Sequence, residues 1–335
     1  MIRIGIIGPS EIAFRRFLPA LIRIPDFIYA GVAIADQTEW LDSNEKIRLA
    51  EFEKASDFSK TYGGIIYHSY NEIIVSGAID ALYIPLPPAL HFYWAKKALL
   101  AGKHVLVEKP ATTNRTDTLE LIKLANSNSL ALHENYMFVF HQQLVAINEI
   151  VKSGEIGDVR LYRISFGFPR RSKNDFRYNK VLGGGALLDA GGYTIKYASI
   201  VLGESVRLVY AHSQFIDEFE VDIAGSAAYV NHNGLTAQIA FGMDNSYKCD
   251  LEVWGSKGCL YTGRVLTAPV GFHPEITIQI GNNSEVRKLP DDDAFRKSIL
   301  HFRNCIENDS EREKNYAEIE KQAFLVQQFI DNTQL

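Results

Sequence analysis

The chain has 335 residues, 47% hydrophobic and 22% charged, with a formal net charge of −5, a profile that suits a globular protein of roughly two domains. The acidic balance excludes a bulk basic field for nucleic acid or anionic lipid, and no apolar run reaches the roughly 18–20 residues that a membrane helix needs. The three cysteines, Cys249, Cys259 and Cys305, contain no CxxC, so neither a disulfide framework nor a zinc knuckle is expected, and no metal site.

Met1 opens onto an apolar strand, MIRIGIIG, without the charged leader and apolar core of a secretion signal, and a cytoplasmic location is expected. Runs rich in β-branched residues at 2–7, 28–34, 64–67, 81–84, 105–108 and 130–134 predict six strands. Stretches at 11–24, 44–62, 70–76, 90–101 and 116–127 predict helices or helical turns between them. This alternation, with strands apolar on both faces, predicts a doubly wound parallel sheet, an N-terminal Rossmann domain over 1–134.

At the first strand-to-helix turn stands Gly8-Pro-Ser-Glu-Ile-Ala13, where a dinucleotide fingerprint G-x-G-x-x-G/A belongs. Gly8 and Ala13 fit, while Ser10 replaces the second glycine. The helix start at Ser10, Glu11 and Ile12 would offer N–H groups and the positive end of a dipole to a pyrophosphate. Asp36, 28 residues beyond Gly8, would accept hydrogen bonds from ribose hydroxyls and repel a 2′-phosphate, so the expected cofactor is NAD or NADP, with NAD favoured. The strand ends at Gly8, Asp36, Pro85 and Lys109 are expected on one edge of the sheet.

From residue 135 the pattern changes. A helix over 142–153, a strand over 159–168, an Arg- and Asn-rich loop, a Gly-led helix running to about 202, strands from 206 to 290 and helical sequence over 294–331 predict an α+β domain over 135–335. Its sheet is expected to be largely antiparallel and open on one face. An open apolar face finds a partner, which predicts a homodimer or homotetramer.

Two short motifs carry the chemistry. HVLVEKP ends a strand on Lys109 and Pro110, and 84 residues after Lys109 the motif GGGALLDAGGY ends on Tyr193, with Asp189 four residues before it. On a regular helix that spacing puts Asp189 and Tyr193 on one face. A phenol beside a cation is a usable proton donor to a carbonyl oxygen that is gaining charge from a hydride. Tyr193 is the expected donor, Lys109 the cation, and Asp189 the group that holds Lys109 charged or binds a substrate hydroxyl.

These motifs, with the ENYM segment at 134–137 and the loop RRSKNDFRYNK before the glycines, resemble the glucose-fructose oxidoreductase / inositol dehydrogenase / MocA family over nearly the whole chain. The resemblance implies an NAD(P)-dependent oxidoreductase acting on a sugar or sugar nucleotide. Lys109 matches the family's EKP lysine, and its bond to Pro110 is expected to be cis. Asp189 and Tyr193 match its D-x-x-x-H/Y motif. Tyrosine in the last place points to the tyrosine-bearing branches and most closely to sugar-nucleotide 3-ketoreductases. Pro85, Leu86, Pro87, His91, Glu108 and Asn135 join Gly8, Ser10, Glu11, Ile12, Asp36 and Lys109 as expected cofactor residues. Arg177, with Lys109, Asp189 and Tyr193, is expected at the substrate, where its guanidinium suits a diphosphate. A dihydrodiol- or polyol-type dehydrogenase, and a non-catalytic nucleotide-binding sensor, are the alternatives.

Overall fold

The computed structural model describes residues 1–39 and 45–333. It resolves into two compact units: Met1–Asn135 with Phe295–Glu320, and Tyr136–Ala294 with Lys321–Leu335.

The first unit is built on a six-stranded parallel sheet of β1 (Ile2–Ile7), β2 (Phe27–Ala33), β3 (Ile65–Tyr67), β4 (Ala81–Ile84), β5 (His104–Val107) and β6 (Leu132–Glu134), in the order β3-β2-β1-β4-β5-β6. All six predicted strands are present. β4 is buried at every position and β1 from Ile4 onward, as a sheet with helices on both faces requires. The order reverses between β1 and β4, the point beyond which open parallel sheets bind ligands.

The helix predicted over 11–24 differs from expectation. Ala13–Phe17 forms a π turn, with the Leu18 N–H donating to the Ala13 carbonyl, followed by a short α-turn, Leu18–Leu21. Pro19 has no N–H to offer the Phe14 carbonyl, and the Tyr62 hydroxyl donates to it instead at 2.9 Å. The next helix begins at Glu45, and Asn44, its predicted start, lies outside the described residues.

The boundary also differs from the predicted division at 134/135, because 295–320 belongs to the first unit. Tyr316 and Ile319 lie in its core, and buried His133 on β6 bonds through Nε2 to Ser298 and through Nδ1 to Asn315. A polar residue in a buried strand needs such partners, and these two come from the far end of the chain.

The second unit has an eight-stranded sheet: β7 (Val159–Gly167), β8 (Arg207–Gln214), β9 (Ala224–Val230), β10 (Thr236–Gly242), β11 (Lys248–Gly255), β12 (Gly258–Gly263), β13 (Glu275–Ile280) and β14 (Asn283–Lys288). Their order is β14-β13-β12-β11-β7-β10-β9-β8, antiparallel except for β7–β10. Alternation sorts the faces: Ala237, Ile239, Phe241, Leu251 and Val253 point into a core with Tyr197, Leu202, Leu325 and Phe329. On the other face Gln238, Arg163, Glu252 and Tyr261 form a row across four strands in register. Trp254 lies beside that row, 53% exposed, with the Arg163 guanidinium 5.8 Å from its ring.

One ion pair ties β1 to the start of β4. Asp80 Oδ2 accepts from the Arg3 backbone N–H at 2.8 Å and from Nε at 2.9 Å, and Oδ1 accepts from Nη2 at 2.6 Å. The Arg3 hydrogen bond is the main reason the Asp80 carboxyl is held down at about 2. Both side chains are more than a third exposed, 42% and 35%, so Asp80→Asn is expected to cost no more than about 1 kcal/mol at neutral pH. The folded value lies below the ordinary 3.8, so the contribution is present above about pH 4 and is lost as pH falls toward 2. Melting temperatures of the two proteins should converge across that window.

Candidate active site

In the first unit the residues at the strand ends make the dinucleotide turn. Gly8 has φ +88°, and a Cβ there would stand 2.7 Å from Leu86 Cδ2, so only glycine makes this bend. Ser10 sits at the missing second glycine and accepts the Ala13 N–H through Oγ at 3.2 Å, which caps the helix start. Glu11 is exposed and pairs with Arg15 at 2.9 Å, and Ile12 is half-buried where the helical turn begins.

Asp36 follows β2. Its Oδ1 accepts from the Thr38 N–H at 2.6 Å and from the Thr38 hydroxyl at 2.8 Å, and the hydroxyl bond leads the causes that lower its carboxyl pKa. Pro85 and Leu86 are buried after β4 and Pro87 is half-buried. His91 is fully buried between the Leu86 carbonyl, 2.7 Å from Nε2, and the Pro110 carbonyl, 2.7 Å from Nδ1. It therefore ties together the loops that follow β4 and β5. Burial pushes its imidazole down to about 4, against the hydrogen bonds to the two carbonyls, which pull it up.

Glu108 and Asn135 are joined to each other. Glu108 Oε1 accepts from the Tyr83 hydroxyl at 2.6 Å and from Asn135 Nδ2 at 2.7 Å, and the Ser298 hydroxyl donates to Asn135 Oδ1 at 2.8 Å. Burial raises the Glu108 carboxyl even against these bonds. Lys109 follows, half-buried, and its bond to Pro110 is cis.

In the second unit GGGALLDAGGY opens the helix that carries Asp189 and Tyr193, but not as a regular α-helix. Leu187–Gly191 is a π turn and Gly192–Leu202 the α-helix. The glycines explain the local geometry. A Cβ at Gly184 would lie 2.4 Å from the Arg177 carbonyl oxygen, one at Gly185 2.4 Å from Asp222 Oδ1, and one at Gly192 2.2 Å from the Tyr136 hydroxyl. Tyr193 is 8% exposed. Its ring lies among Tyr136 (centroids 5.3 Å), Phe138 (5.7 Å) and Phe166 (5.3 Å).

Asp189 Oδ2 accepts from Arg177 Nε at 2.6 Å, and Arg177 Nη1 donates to Asp175 Oδ1 at 3.1 Å. Burial works against the guanidinium charge, yet Asp189 and then Asp175 outweigh it and raise the Arg177 pKa. The structure thus joins two predicted residues, Arg177 and Asp189, that the sequence assigned to separate tasks.

Asp222 escaped the sequence reading. Its Oδ2 accepts the Leu187 N–H at 2.7 Å and its carbonyl accepts the Ala186 N–H at 2.9 Å, so it caps the start of this helix from a distant loop. Its signal lay in Gly185, whose lack of a side chain makes room for it. Among the described residues no helix is long and apolar enough to cross a membrane, and no group of three His, Cys, Asp or Glu is placed to hold a metal ion.

Residues 2–136 match the oxidoreductase family with an NAD-binding Rossmann fold, and 144–261 match the GFO/IDH/MocA C-terminal domain. The chain belongs to the GFO/IDH/MocA family and is an NAD(P)-dependent oxidoreductase. The dTDP-3,4-didehydro-2,6-dideoxy-alpha-D-glucose 3-reductase of Actinomadura kijaniata is 36% identical over 305 residues, which span 91% of this chain and 87% of that one. The enzyme of the same name from Streptomyces violaceoruber is 38% identical over 91% of this chain and 85% of its own. Among solved structures, KijD10, a 3-ketoreductase from Actinomadura kijaniata in complex with NADP and TDP-benzene, is 34% identical with a TM-score of 0.91, covering 99% of this chain and 98% of that one.

Burial raises the Asp222 carboxyl to about 6 from an ordinary 3.8. The folded protein therefore holds this proton more tightly than the unfolded chain, and the associated stability, full below about pH 4, is lost as pH rises to about 6. Asp222→Asn should remove that slope from melting temperatures measured between pH 4 and 7.

Proposed function

We propose that the protein reduces a keto group on a deoxysugar carried by thymidine diphosphate, with Tyr193 as the proton donor assisted by Lys109. One observation carries this reading. The solved variants of the Actinomadura kijaniata 3-ketoreductase replace a lysine and a tyrosine that stand 84 residues apart, the spacing of Lys109 and Tyr193 here.

NAD(P)H, when bound, supplies the hydride. As the substrate carbonyl becomes an alkoxide, its oxygen takes the phenolic proton of Tyr193, and the Lys109 ammonium stabilises the phenolate left behind. In the opposite direction the same phenolate is the base. Three aromatic neighbours hold the Tyr193 ring and limit its contact with water, which favours one direction for its hydroxyl. Gly8 and the N–H groups of Glu11 and Ile12 would hold the pyrophosphate, the Ser10 N–H being given to the Gly8 carbonyl at 2.9 Å. Asp36 disfavours a 2′-phosphate, and its bonds to Thr38 fix the position of that charge. This supports use of NADH alongside NADPH, whereas the Actinomadura kijaniata enzyme was solved with NADP.

Tyr193→Phe is expected to bind NADH and NADPH like the wild type in a tryptophan-fluorescence titration, and to lose roughly 10²–10⁴-fold in turnover of keto-sugar nucleotides. Retained turnover would remove Tyr193 from the mechanism. A wild type active on free sugars or diols alone would replace the substrate class.

We further propose that the protein forms a homodimer or homotetramer through the open face of the second unit's sheet, where Trp254, Tyr261 and Arg163 stand exposed. Light scattering at micromolar concentration should give at least twice the chain mass, and a monomer would refute the assignment.

A further inference from the structure

We infer that Arg177 is a positioning residue that clamps Asp189, and that it does not receive the substrate's diphosphate. The inference rests on reading Asp189 and Tyr193 as part of the reacting site.

Two of the three guanidinium nitrogens are engaged by carboxylates. Nε donates to Asp189 Oδ2 at 2.6 Å, and Nη1 donates to Asp175 Oδ1 at 3.1 Å and Oδ2 at 3.4 Å. The three side chains are 21%, 14% and 18% exposed for Arg177, Asp189 and Asp175, unlike the solvated surface pairs that contribute almost nothing. Asp175 also caps the Arg177 backbone N–H at 3.0 Å, and the Phe176 ring centroid lies 4.6 Å from the guanidinium carbon. The rotamer is therefore held from several directions.

The backbone of the same residue supplies a second hold. The Arg177 carbonyl accepts the Gly185 N–H at 2.9 Å, and Asp189 N–H donates to the Gly185 carbonyl at 3.1 Å. Gly184 lies so close to that carbonyl that a Cβ would come within 2.4 Å of it. Arg177 thus grips the segment at Gly185 through its main chain and at Asp189 through its side chain, fixing both the π turn and the direction of the carboxylate.

Charge separates this role from diphosphate binding. One guanidinium already faces two carboxylates, and a diphosphate brought to it would set further negative charge within a few ångström of them. Like charges that close repel in a partly buried site, which opposes what a phosphate contact adds. A carboxylate displaced by about 1 Å, in contrast, is enough to slow a reaction on the order of 10²-fold.

The test uses Arg177→Met and Arg177→Lys, each alone and combined with Asp189→Asn. Thymidine diphosphate binding is measured by calorimetry, kcat and KM on a keto-sugar nucleotide that the wild type reduces, and amide hydrogen exchange over 184–189. With a clamp, Arg177→Met binds thymidine diphosphate within about threefold of the wild type while kcat falls roughly 10–100-fold. The same change adds less than about threefold once Asp189 is Asn, because the two act as one unit. Exchange over 184–189 speeds by about tenfold or more. Arg177→Lys keeps the charge but cannot span both carboxylates, so it recovers part of kcat; it carries the comparison if Arg177→Met does not fold.

Thymidine diphosphate binding weakened tenfold or more with kcat retained would overturn the inference and make Arg177 a diphosphate ligand. A full second loss in the Asp189→Asn background would overturn it too. A wild type that reduces no keto-sugar nucleotide condemns the proposed substrate instead. The clamp is then decided by hydrogen exchange, and unchanged protection in Arg177→Met would sink it.

Discussion

The second unit's chemistry depends on main chain approaching closer than a Cβ permits. Gly184 lies against the Arg177 carbonyl, Gly185 against Asp222 and Gly192 against the Tyr136 hydroxyl. These contacts let a loop, a distant aspartate and an aromatic cluster all reach one short stretch of helix. A side chain at any of them would push its partner away, and with it the groups that orient Asp189 or Tyr193. Gly184 and Gly185 therefore belong to one of the more closely approached segments of the unit.

The first unit meets a related problem in its parallel sheet. Strands buried on both faces have no solvent for polar side chains, so those near the strand ends bond to one another. Glu108, Tyr83 and Asn135 share a carboxylate oxygen, and Asn135 passes the connection to Ser298 and His133. Residues that a motif marks for a cofactor therefore also hold together the strand ends from which Lys109 projects. His91 does the same for the loops after β4 and β5 by bridging two carbonyls.

The candidate residues could be picked out in the primary structure because their types sit at strand ends and helix starts, where local sequence reports local geometry. Gly8 needs its positive φ, and the run of prolines after β4 marks where the chain leaves the sheet. Pairing was not legible. Arg177 stands 12 residues before Asp189, and nothing in that interval shows that a 3-10 turn and three glycines fold the guanidinium back onto the carboxylate. Asp222 lies 35 residues beyond Leu187 and became visible only when the strands placed its loop at the helix start.

By itself the sequence determined the alternation of strands and helices, the six-stranded parallel sheet, the mainly antiparallel second sheet and the family. Each of these follows from hydrophobic period, turn chemistry and short motifs, all of which are local. Only the tertiary structure decided that 295–320 belongs with the first unit and that the helix carrying Asp189 and Tyr193 opens with a π turn. It alone showed that Arg177 meets two carboxylates. Those outcomes depend on buried polar groups finding partners outside their own helix or strand, and a desolvated donor or acceptor takes whichever partner the packing brings within about 3 Å.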